Sequence, residues 1–176
     1  MRLIPVLALS LIFSAPLYAE ESPDWTFETI DGSELTLSDE VSEQTTILFF
    51  WATWCPYCKA LMPHLQSIEL EFGDEVEILA IHFRDDNDPV EFIEQAGYDF
   101  TLLPSGEEIA SLYGVWGTPG VLIVDENMEI RFDLRELPAR PLPADVETAG
   151  HGRRSAHRAP WWAAEIRASL DAVLAD

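Results

Sequence analysis

The chain has 176 residues with 32 acidic and 10 basic side chains, a formal charge of −22, and Lys59 is its only lysine. A surface this negative repels nucleic acid and anionic lipid, which excludes both as its principal partners. The only two cysteines, Cys55 and Cys58, close almost no loop between them, which excludes a scaffold held together by disulfides.

Residues 1–19, MRLIPVLALSLIFSAPLYA, have one basic residue, an apolar run from Leu3 to Phe13 and a small residue, Ala19, at a cleavage point. This is the layout of a secretory signal. The run is short for a membrane span, which needs about 20 residues. The expectation is export to the periplasm as a monomer, soluble after cleavage, with an uncleaved N-terminal anchor as the alternative. One domain would then fill residues 20–176.

Next, WTFETIDGSELTLSDE alternates polar and apolar residues around Asp31-Gly32 and predicts a β-hairpin, with strands at Trp25–Thr29 and Glu34–Leu37. TTILFFWA, Thr45–Ala52, is nearly all apolar and rich in β-branched and aromatic residues, as a strand buried on both faces would be. The cysteine motif W-C-P-Y-C follows directly. Beyond it Leu61, Leu65, Ile68 and Phe72 recur at helical spacing; Pro56 suits a first turn, and Pro63 is expected to kink the helix.

VEILAIHF, Val76–Phe83, reads as a second buried strand, followed by the polar loop RDDNDP. Short helices are predicted at Pro89–Gln95 and Glu107–Tyr113, then strands at Val121–Val124 and Met128–Asp133. Leu137–Pro160, rich in proline and arginine, reads as an irregular excursion, and the basic run HGRRSAHR, His151–Arg158, as an exposed loop within it. A closing amphipathic helix is expected at about 161–174. Strands alternate with helices, so the class is α/β.

The cysteines sit where a buried strand gives way to a helix. The helix start points free backbone N–H groups and the positive end of its dipole at the first cysteine, favouring thiolate over thiol. About 2 kcal/mol of such selectivity shifts a two-electron potential by tens of millivolts towards oxidising. The pair therefore reads as redox chemistry on another protein, with Cys55 at the exposed tip attacking and Cys58, one turn further in, resolving. The competing reading is a copper or other metal-binding assembly module. Its candidate ligands are His64, His82, His151 and His157, but His64 lies about 13 Å along the helix from Cys55, and only His82 is expected near the motif. Lys59 follows the second cysteine, where haem attachment would need histidine. No cofactor or metal beyond the cysteine pair is expected. Pro119, directly before a buried strand in GTPGVLIV, is a candidate cis peptide.

Taken together, FFWATWCPYCK, GTPGVLIVDE and the order of elements resemble the thioredoxin superfamily, and within it the exported TlpA-like thiol-disulfide reductases, a group that includes cytochrome c maturation factors. The resemblance implies a thioredoxin fold, a central mixed β-sheet flanked by helices with an N-terminal β-hairpin extension. It implies a nucleophilic Cys55, a resolving Cys58 and a cis Thr118-Pro119 pair, with Trp54, Pro56, Tyr57, Thr118 and Pro119 meeting substrate. It further implies protein substrates bearing disulfides or thiols and a membrane thiol reductant as electron donor. A disulfide oxidase or isomerase using the same site is the alternative direction. Two departures stand out: Phe49 and Leu61 occupy places where members of the superfamily carry a buried acid.

Overall fold

The structure is a computed structural model that describes residues 20–30 and 32–175, so the segment read as a signal lies outside the described residues. In chain order the elements are β1 Glu20–Glu21, β2 Thr26–Glu28, β3 Glu34–Thr36, α1 Leu37–Glu43, β4 Thr45–Trp51, α2 Pro56–Phe72, β5 Val76–His82 and α3 Pro89–Ala96. They continue with β6 Thr101–Leu103, α4 Glu107–Leu112, β7 Gly120–Val124, β8 Glu129–Asp133, α5 Ala144–Glu147 and α6 His151–Val173.

Six strands form a mixed sheet in the order β1-β8-β7-β4-β5-β6, while β2 and β3 pair separately as the expected hairpin. The central strand β4 is buried along its whole length, parallel to β5 and antiparallel to β7. Its side chains alternate between two cores because successive residues of a strand point to opposite faces. Ile47, Phe49 and Trp51 join a core with α2, α3 and α6, whereas Leu48 and Phe50 join one with α1, α4 and the hairpin. Pro63 lies inside α2, which continues past it to Phe72.

The hairpin is latched to the second core by Tyr113. Its hydroxyl accepts from Trp25 Nε1 at 3.0 Å and pairs with Ser22 Oγ at 2.7 Å. Four elements were not legible in the sequence: β1, α1, the edge strand β6 and the short helix α5. Each is short, and a strand of two or three residues shows no alternation to read.

The expected irregular excursion ends much earlier than Pro160. A short helix, α5, occupies Ala144–Glu147, and the closing helix begins at His151, so the basic run HGRRSAHR is its first two turns rather than a loop. Pro160 inside the helix and Gly152 near its start argue locally against helix. They are overridden because Ser155, Ala159, Ala163, Ile166 and Leu170 form one buried stripe. That stripe packs against α2, and an Arg167 Nε–Glu71 Oε2 pair at 2.6 Å joins the two helices near the far end of α2.

Among the described residues, no helix is long and apolar enough to cross a membrane.

Candidate active site

Cys55 is the N-cap of α2, and Cys55 and Cys58 are joined by a disulfide across the first turn. The backbone N–H of Cys58 donates to Cys55 Sγ at 3.1 Å. Pro56 opens the helix, where no N–H is needed. One of the free donors at the helix start is thus aimed at the first sulfur, as expected from the strand-to-helix junction.

Exposure differs from the expectation. Cys55 is only 1% exposed and Cys58 0%, so in the oxidised form the first sulfur is no open tip. It is bonded to the fully buried Cys58 and lies in the cluster that holds Trp51, Ala52, Leu61 and Val121. Phe49 and Leu61 are both fully buried in that same apolar cluster, so no carboxylate stands at either place.

The Thr118-Pro119 peptide is cis, as expected. Register explains where it lies. Gly120 pairs with Phe50 across β7 and β4, so the two preceding residues fall level with the end of β4, beside the start of the cysteine loop. Gly120 permits this approach: a Cβ there would stand 2.9 Å from Val115 Cγ1 and 3.2 Å from Phe50 Cβ. Thr118 and Pro119 are half-buried, and the Thr118 hydroxyl has no hydrogen-bond partner.

The loop after β5, read from sequence only as polar, anchors the site. Asp85 accepts from the backbone N–H of Thr53 at 2.5 Å and of Asn87 at 3.1 Å, and pairs with His82 Nε2 at 3.2 Å. Asn87 also donates to the Thr53 hydroxyl at 2.9 Å. Burial by itself would raise the Asp85 carboxyl, but the hydrogen bonds from Thr53, Asn87 and His82 outweigh it and hold the group well below the usual carboxylate range. His82, the expected candidate ligand, is thereby engaged with Asp85 and packs edge-on against Trp51. Among the described residues, no group of three or more His, Cys, Asp or Glu is arranged to hold a metal ion.

Arg84 links the two aromatic residues that flank the site. Its carbonyl accepts from Trp54 Nε1 at 3.1 Å, and its guanidinium donates to the carbonyl of Trp116. Both indoles remain exposed, Trp54 at 57% and Trp116 at 68%. Trp116 was not singled out in the sequence, although its place three residues before the cis proline was a usable signal. Tyr57 is half-covered instead, its ring 5.9 Å from His151 and 6.0 Å from Trp162. The start of α6 therefore lies against the cysteine motif.

A mixed sheet with a disulfide at the start of α2 and a cis proline level with it defines a thioredoxin-fold protein. The solved thioredoxin domain of a thiol-disulfide oxidoreductase from Bacteroides vulgatus has the same fold, with a TM-score of 0.58 and 20% identity over 69% of this chain and 89% of that one. Residues 19–133 match the AhpC/TSA family, and the chain belongs to it. Relatives include the thioredoxin-like protein YneN of Bacillus subtilis (strain 168), 27% identical over 61% of this chain and 65% of that one. The thiol-disulfide oxidoreductase ResA of Halalkalibacterium halodurans is also 27% identical, over 63% of this chain and 64% of its own length. The similarity thus spans just under two thirds of each of these two relatives.

Proposed function

We propose that the chain is an exported thiol-disulfide oxidoreductase that exchanges disulfides with other proteins, chiefly as a reductase. The reading rests on the disulfide closed across the first turn of α2, with the Cys58 N–H on Cys55 Sγ. The names of relatives such as ResA support it.

In the dithiol form, Cys55 is the thiolate that the amide and the helix dipole stabilise. It attacks one sulfur of a substrate disulfide, the substrate S–S bond breaks, and the other substrate sulfur leaves as a thiolate that takes up a proton. Cys58 then loses its proton and attacks Cys55 Sγ in the mixed disulfide. The second substrate thiol is released and the Cys55–Cys58 disulfide remains, two electrons having passed to the substrate. A membrane thiol reductant restores the dithiol. Breaking the intramolecular bond frees the Cys55 side chain to turn outward between Trp54, Trp116 and the Thr118-Pro119 loop, where an extended substrate segment would lie.

Separate substitutions test the roles. Cys55→Ser abolishes reduction of a model disulfide protein, while Cys58→Ser accumulates mixed disulfides visible on non-reducing gels. Equal activity of both variants and the parent would reject the assignment.

One observation favours the opposite direction as a second reading. With Phe49 and Leu61 apolar and fully buried, no carboxylate at either place takes the Cys58 proton, which weakens the pair as a reductant. Equilibration with glutathione decides between them: a potential near that of thioredoxin, about −270 mV, supports reduction, and one near about −120 mV supports oxidation.

A further inference from the structure

A pocket of about 380 Å³ lies between the residues around Arg140 and the outer side of α6, walled by Arg140, His157, Arg158 and Trp161 and lined by Pro141 and Pro160. The Arg140 guanidinium lies over the Trp161 ring, 5.5 Å from its centre. We propose that this pocket docks an acidic segment of the protein whose disulfide is exchanged at Cys55–Cys58. The proposal rests on the redox reading above and names the class of substrate.

Three observations carry it. First, cations gather here. The chain holds 32 acidic residues, and Arg131, Arg135, Arg153 and Arg167 each pair with one of them; among the described residues Arg84, Arg140, Arg154 and Arg158 pair with no carboxylate, and two of these four, Arg140 and Arg158, wall this pocket. Two guanidiniums that pair with no carboxylate, lining one pocket with an imidazole, favour an incoming anion, although Trp161 Nε1 on the same wall donates to Glu165 Oε1 at 2.8 Å. Second, the pocket adjoins the redox site. His151, Arg158 and Trp162 recur at spacings of seven and four along α6 and so share one stripe. The two ends of that stripe touch Tyr57 of the cysteine motif. Arg158 stands between them, roughly 10 Å along the helix from His151, a distance that an extended segment covers in a few residues. Third, the rest of the surface repels an acidic segment, so the field admits it at this face and disfavours it elsewhere. That same repulsion disfavours a flat anionic membrane, which would face the whole acidic molecule, whereas a polypeptide segment inserts locally.

The test uses the full chain and a short linear peptide rich in glutamate and aspartate, with serine in place of cysteine, beside a lysine-rich counterpart. Titration calorimetry is expected to show binding of the acidic peptide only, weakened several-fold by added salt and about tenfold in the double variant Arg140→Gln, Arg158→Gln. Absence of binding, equal binding of both peptides, or an unchanged affinity in the double variant would overturn the proposal. Binding to vesicles containing anionic lipid without binding to the peptide would overturn it in favour of a membrane surface. Disulfide-bonded forms of the two peptides supply the kinetic arm. The parent should prefer the acidic form, the double variant should lose that preference, and both should reduce hydroxyethyl disulfide equally. Failure to exchange any disulfide would sink the redox reading, while the calorimetry still decides the docking on its own.

Discussion

Asp85 touches neither sulfur, yet it fixes the residue that starts the turn into them. Its carboxylate holds the Thr53 N–H, and Cys55 follows two residues later. Asp85→Asn keeps the shape but turns a donor towards at least one backbone N–H, so a loss of roughly 1–3 kcal/mol in stability is expected from urea unfolding. The pH dependence is the diagnostic part. A carboxyl depressed in the fold adds stability above its ordinary value of 3.8, and that stability is lost as the pH falls below it towards the native value. The parent should therefore weaken between neutral pH and the acid side of 3.8 more steeply than the Asn variant; parallel profiles would show that the carboxylate is not held as described.

At the scale of elements, the hairpin and the end of α4 share one polar latch in an otherwise apolar core. Removing the Tyr113 hydroxyl leaves Trp25 Nε1 without its partner, and Trp25 is only 8% exposed. Tyr113→Phe should lower stability by about 1–3 kcal/mol and raise the protease sensitivity of the β2–β3 segment. Equal protection of that segment in the two proteins would mean that packing alone holds it. The helix α6 makes a related point about reading sequence. Its first two turns carry the basic residues and its interior carries Pro160, so local propensity pointed to a loop through Pro160. Its buried stripe, visible only beside α2, decided otherwise.

For the molecule as a whole, the −22 charge adds to a cost that burial sets at one side chain. Burial pushes the Glu69 carboxyl up to about 7, and the nearby Glu77 and Asp99 add to this against a Gln66 hydrogen bond that pulls it down. A carboxyl raised in the fold adds stability that is complete below its ordinary value of 4.5 and is lost as the pH rises through about 7. At low salt the urea midpoint of the parent should fall between these two values, and in Glu69→Gln it should fall less. Identical slopes would remove Glu69 from the account. Added salt should reduce the parent's decline by screening the acids around it.

Sequence alone determined the α/β alternation, the cysteine pair at a strand-to-helix junction, the hairpin and the proline before β7. Each of these is written in consecutive residues: a period of two or 3.6, a turn dipeptide, a C-x-x-C spacing. Tertiary structure alone decided what depends on residues far apart in the chain. The burial of Cys55, the hold of Asp85 on Thr53, the bridge of Arg84 between Trp54 and Trp116, and the placing of the start of α6 against Tyr57 all join residues separated by a loop or more. No local pattern encodes such pairings, because the free energy that selects them comes from desolvation and packing between elements once the sheet has formed.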